Sequence, residues 1–70
     1  MGEWPATKAR RVLAALLRIG WRVERTRGSH RRLARDGWAS VVFAFHDDEE
    51  IGPRMLARVA AETGLSSGDL

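Results

Sequence analysis

The stretch that decides the fold is GWRVERTRGSHRRLARDGWASVVFAF, residues 20–45 of a 70-residue chain. Residues 21–27 alternate and contain Trp, Val and Thr, the pattern of a half-buried strand with Trp21 and Val23 on one side. Gly28-Ser29 is a turn. Residues 30–35 form a second, weaker strand, because HRRLAR carries little β propensity. Asp36-Gly37 is a two-residue hairpin signal. Residues 38–45 make the best strand, with Val41, Phe43 and Phe45 on one face. Its other face holds Val42 and Ala44 and is less polar than a solvated sheet face, which points to a surface that meets a partner.

Helices flank this core. Upstream, Ala9, Val12, Leu13, Leu16 and Leu17 mark one face of a helix over residues 8–19. Thr7 is the expected N-cap and Gly20 the stop. Downstream, His46 opens a polar loop, Asp47-Asp48-Glu49-Glu50. Gly52-Pro53 then starts a second helix, whose stripe is Met55, Leu56, Val59, Ala60 and Thr63. Gly64 is the expected left-handed end, with Leu65 turned back to the core. The order is α-β-β-β-α, an α+β fold with two helices on one face of a three-stranded antiparallel sheet. The chain reads as a single domain, residues 1–70, with flexible ends at 1–6 and 66–70.

Composition excludes several classes. There is no cysteine, hence neither disulfide nor thiolate metal site. No apolar run could span a bilayer, so cytoplasm is the expected compartment. No glycine-rich phosphate loop and no serine or cysteine triad is present. The acidic run 47–50 matches no calcium loop, and the reading is no metal and no cofactor.

Charge is sharply divided. Residues 8–35 hold ten Lys or Arg against one acid, Glu24, whereas residues 36–70 hold two against seven acids. Of the twelve basic residues eleven are Arg, which grips phosphate through two nitrogens and stacks on bases. The first half therefore suits a polyanion, above all RNA. Trp21 is expected in the core and Trp38 half exposed, while Trp4 has no assigned place.

His30 follows Gly28-Ser29 and is surrounded by Arg25, Arg27, Arg31 and Arg32. Positive neighbours disfavour a protonated imidazole, and a neutral imidazole is what a general base requires. In RNA such a base can deprotonate the 2′-hydroxyl beside a phosphate, while arginines hold the phosphate and stabilise its developing charge. Taken alone, one histidine in a basic stretch is more often a plain surface residue. His46 is a second candidate, as a general acid, although a loop-capping role suits it better.

Gly20-Trp21 followed by Arg27-Gly28-Ser29-His30 resembles the HicA family of toxin ribonucleases. The match runs in order through Val12-Leu13, Leu16-Leu17, Val41 to Phe43, His46, Pro53, Leu56, Val59 and Gly64-Leu65, over roughly residues 7–66. The resemblance implies a double-stranded-RNA-binding-domain-like fold and an mRNA-cleaving toxin of a type II toxin–antitoxin system. It also implies that cleavage depends on His30 and that a HicB-like antitoxin covers the site. Expected RNA contacts are Arg25, Arg27, Ser29, Arg31 and Arg32. Two departures stand out: Ala44 replaces the family's proline, and the loop after His46 is acidic instead of Gly/Lys-containing. The alternative reading is a non-catalytic module that holds double-stranded RNA by shape and phosphate contacts. Such a module would not need His30 and would carry more basic residues on the second helix than Arg54 and Arg58.

Overall fold

The computed structural model describes residues 4–70. In chain order the elements are β1 (Thr7–Lys8), α1 (Ala9–Arg18), β2 (Arg22–Arg27), β3 (His30–Ala34), β4 (Val41–Ala44), β5 (Glu50–Ile51) and α2 (Pro53–Thr63), then a 3-10 turn at Ser67–Asp69. Strands β2, β3 and β4 form an antiparallel sheet with β3 in the centre, and β1 pairs with β5 in a separate ladder. This is the expected α+β arrangement, with both helices on one face of the sheet.

Register divides the sheet into two faces, because residues directly opposite one another share a face. Val41 lies opposite Leu33, and Phe43 opposite Arg31. Leu33, Val41 and Phe43 are buried together with Ala9, Val12, Ala15 and Leu16 of α1 and Leu56 and Val59 of α2. Trp21, Ile51 and Leu65 complete that core. Burying a side chain the size of Leu16 contributes about 1.5–3 kcal/mol.

Each helix ends on a glycine for a definite reason. At α1 the Trp21 amide donates to the Leu16 carbonyl (3.1 Å) and the Gly20 amide to that of Leu17 (3.2 Å), with Gly20 at φ 110°. That is a Schellman closure, which carries Trp21 back onto Leu16. At α2, Gly64 adopts φ 77° and its amide donates to Ala60. The Trp38 ring also lies so near Gly64 that a Cβ there would sit 2.7 Å from Trp38 Cη2.

Several expectations are corrected. Thr7 does not cap α1. It belongs to β1, its hydroxyl donates to the Pro5 carbonyl (2.8 Å), and the N-cap is Lys8 without a side-chain cap. The first helical amides are satisfied by the acidic loop instead: Ala9 donates to the Glu49 carbonyl (2.8 Å) and Arg10 to that of Asp47 (3.2 Å). Asp36-Gly37 does turn the chain, with Trp38 donating to the Arg35 carbonyl (3.0 Å), but this is no two-residue hairpin. Residues 35–40 lie between β3 and β4, and β4 covers only 41–44 of the expected 38–45. Trp38 is the physical reason. It packs on Gly64 and edge-on to Trp21, with centroids 5.9 Å apart, so its backbone leaves the ladder. Trp21 is 2% exposed but Val23 is 42% exposed, so the two do not share a buried face, and Trp21 lies just before the strand that begins at Arg22.

The sequence assigned no element to residues 66–70. There the Ser66 amide and hydroxyl both donate to Asp69 Oδ2 (2.8 and 3.0 Å). Arg11 donates to the Leu70 carbonyl (3.0 Å) and Arg18 to that of Asp69. The flexibility assigned to residues 1–6 concerns in part residues 1–3, which lie outside the described residues.

Two stability outcomes follow. Gly64→Ala should cost about 1–3 kcal/mol, since it meets both a left-handed backbone and the Trp38 ring. Gly20→Ala shares the positive-φ strain (φ 110°) but should cost less, because its new Cβ would meet the flexible end of Arg35 and not an aromatic ring. Urea denaturation midpoints at unchanged m rank the pair. The Asp69 carboxyl is held below its ordinary value of 3.8 by the Ser66 amide first and then the Ser66 hydroxyl. A depressed carboxylate stabilises above its unfolded value and stops doing so as pH falls through the folded one. Amide-exchange protection at Ser66 should therefore persist at pH 5 and disappear only below about pH 3.8.

Candidate nucleic-acid interface

The face of the sheet turned away from both helices carries the candidate residues. Arg27, His30 and Ala44 form one row across β2, β3 and β4, and Arg25, Arg32 and Val42 form the next. Directly opposed Cα atoms in such rows lie about 4.5–5.5 Å apart. All six residues are exposed, Val42 at 60%. The result is a basic strip over β2 and β3 beside an apolar strip on β4. His30 opens β3 straight after the two-residue turn Gly28-Ser29, whose glycine has φ 59°.

The arginines of residues 8–35 are unequal. Arg25 and Arg27 have no ion pair among the described residues. Arg32 lies 3.7 Å from Glu24 and Arg22 3.5 Å from Asp36, all on exposed side chains where such pairs contribute little. Arg10 pairs with Asp48, and Arg11 and Arg18 hold the C-terminal turn. Arg35 lies over the Trp38 ring, 5.3 Å from its centroid. The cations available to a ligand are thus concentrated on the open face.

Arg31 stands apart. As the neighbour of His30 in a strand it points to the opposite face, in the row of Thr26 and Phe43. Its Nη2 donates to Asp47 Oδ1 at 3.1 Å, its side chain is only 21% exposed, and its Nη1 is buried without a partner. A groove of about 410 Å³ opens here, lined by Gly28, Ser29, Arg31, Phe45, His46, Asp47 and Asp48. His46 is thereby brought to the turn that precedes His30. Its backbone is fixed by Glu49: the His46 amide donates to Glu49 Oε1 (3.1 Å) and its carbonyl accepts from the Glu49 amide (2.9 Å).

Of the sequence candidates, Arg25, Arg27, His30 and Arg32 come together on one face, whereas Ser29, Arg31 and His46 gather at the groove. Period-two alternation in residues 30–32 carries this division. The ion pair of Arg31 with Asp47 has no local signal, since its partners lie 16 positions apart. Among the described residues no three His, Asp or Glu side chains group as metal ligands, and no helix is long and apolar enough to cross a membrane.

Comparison with known proteins identifies the family. Residues 9–65 match the family model of the HicA toxin of bacterial toxin–antitoxin systems. No curated protein and no solved structure matches. The matched span is most of the chain, and the chain belongs to the HicA toxin family. Its function is that of a toxin of a toxin–antitoxin system, which implies an antitoxin partner.

Proposed function

We propose that this HicA-family chain is an endoribonuclease that cleaves mRNA with His30 as general base, without a metal. The observation that supports this most is the placement of His30 on an open sheet face, in one row with Arg27 and beside Arg25 and Arg32. A neutral imidazole takes the proton of an RNA 2′-hydroxyl. The 2′-oxygen attacks the adjacent phosphorus and the 5′-oxygen leaves, giving a 2′,3′-cyclic phosphate and a 5′-hydroxyl end. The nucleophile belongs to the substrate, so neither a covalent enzyme intermediate nor a metal-bound water is required. Arg25, Arg27 and Arg32 hold the backbone and stabilise charge on the phosphoryl oxygens. His46, beside the Gly28-Ser29 turn, is the candidate to protonate the leaving oxygen. An acidic antitoxin that covers the open face would neutralise the arginines and bury Val42 and Ala44.

His30 is exposed, so truncation leaves the core intact. His30→Ala should fold normally yet lose RNA cleavage by about 10²-fold or more, and with it toxicity. Undiminished cleavage by the folded variant would refute the assignment.

RNA affinity should be electrostatic and come from the open face. Arg27→Glu or Arg32→Glu should weaken binding to every RNA sequence and make log K less steep against log salt. Arg54→Glu and Arg58→Glu on α2 should matter less. Equal losses from the two pairs in filter-binding titrations would move the footprint elsewhere.

A further inference from the structure

The groove between the Gly28-Ser29 turn and the His46–Asp48 segment lies off the open face, and of its lining residues the proposed cleavage uses only His46. Its one deeply placed cation is Arg31. The guanidinium is nearly enclosed, yet only one of its terminal nitrogens has a partner, the Asp47 carboxylate at 3.1 Å. A guanidinium donates best through two parallel nitrogens to two oxygens of one anion, so this pairing is incomplete. The other acid of the groove is already engaged: Asp48 pairs with Arg10, and the Lys8 ammonium donates to the Asp48 carbonyl (3.1 Å).

We propose that this groove is a phosphate-binding subsite in which Arg31 is the anion ligand and the Asp47 carboxylate its resident occupant. Asp47 is 59% exposed, so its carboxylate turns into water at small cost. A phosphate then takes both terminal nitrogens of Arg31, and Ser29 offers its hydroxyl at the rim. This deepens the ribonuclease reading. The groove would hold a phosphate of the RNA backbone next to the one at His30, past the Gly28-Ser29 turn, and Asp47 would set how readily RNA enters it.

The test is an NMR titration of the intact chain with inorganic phosphate, followed at the Gly28 and Ser29 amides and the Arg31 Nε–H, with a short RNA titrated in parallel. Phosphate should perturb these three groups. Asp47→Asn should raise phosphate affinity about two- to fivefold, the worth of one partly exposed ion pair. Asp48→Asn, an equal change of charge in the same loop, should give less than half that gain. In an Arg31→Gln background the Asp47→Asn gain should vanish, with Arg31→Met as a second uncharged variant if the first does not fold. Equal gains from Asp47→Asn and Asp48→Asn, or perturbations confined to Arg25, Arg27 and Arg32, would overturn the subsite while leaving RNA binding by the open face intact. Phosphate at Arg31 without RNA binding would leave the subsite standing and remove the ribonuclease reading.

Discussion

The indole of Trp21 ties the molecule together. Its Nε1–H donates to the Thr63 carbonyl at 3.0 Å, its ring lies edge-on to Trp38, and its backbone closes the last turn of α1. Trp38 in turn covers Gly64, the left-handed residue that sends Leu65 back into the core. One buried side chain thus links the end of α1, the entry to β2, the β3–β4 connection and the end of α2. The accepting carbonyl lies in the last turn of α2, where carbonyls lack helical partners. The hydrogen bond therefore satisfies two groups that would otherwise be buried unpaired, and either left alone costs about 1–3 kcal/mol. With Trp21 fixed, β2 leaves α1 in a set direction, and the whole sheet is oriented with one face to the helices and one to water.

That orientation converts a run of basic residues into two chemically different surfaces. In Ser29-His30-Arg31-Arg32 alternate side chains go to opposite faces. His30 and Arg32 join Arg25 and Arg27 in the open, where charges stay hydrated and available. Arg31 goes to the helix side, loses most of its water and needs a carboxylate to remain there, because a buried unpaired guanidinium would be costly. The acidic loop supplies it. The charge asymmetry of the sequence is therefore partly internal bookkeeping: Asp47 and Asp48 offset Arg31 and Arg10, and the uncompensated remainder faces outward.

Elements set by local chemistry were legible in the sequence. Leu16 and its stripe-mates, the glycine ends at Gly20 and Gly64, and the burial of Trp21 follow from periodicity and turn chemistry alone. So did the start of β3 at His30, since Gly28-Ser29 fixes the turn before it. What was not legible depends on contacts distant in sequence. Thr7 has the side chain of an N-cap, but pairing with Ile51 claims its backbone, and the carbonyls of Asp47 and Glu49 do the capping. Asp36-Gly37 has the composition of a tight hairpin, but Trp38 is drawn away toward α2. For the site, Arg25, Arg27, His30 and Arg32 could be grouped by counting alternate residues, whereas the attachment of Arg31 to Asp47 could not.

The acidic loop is anchored and movable at once, and the distinction lies between its backbone and its side chains. The Asp47 and Glu49 carbonyls accept the first amides of α1, whose partial positive charge holds that end of the loop in place. The Asp47 carboxylate takes no part in this capping. It can leave Arg31 by rotation about its own side-chain bonds while the helix cap stays closed. Exchange of the Arg31 counter-ion therefore requires no loop opening, because the exposed Asp47 carboxylate can move away while an incoming anion takes its place on the guanidinium. A basic loop in this place would leave Arg31 without a counter-ion and set like charges against the positive end of α1. In this chain, acidic residues after His46 are what allow an arginine to sit on the helix side of the sheet one residue from His30.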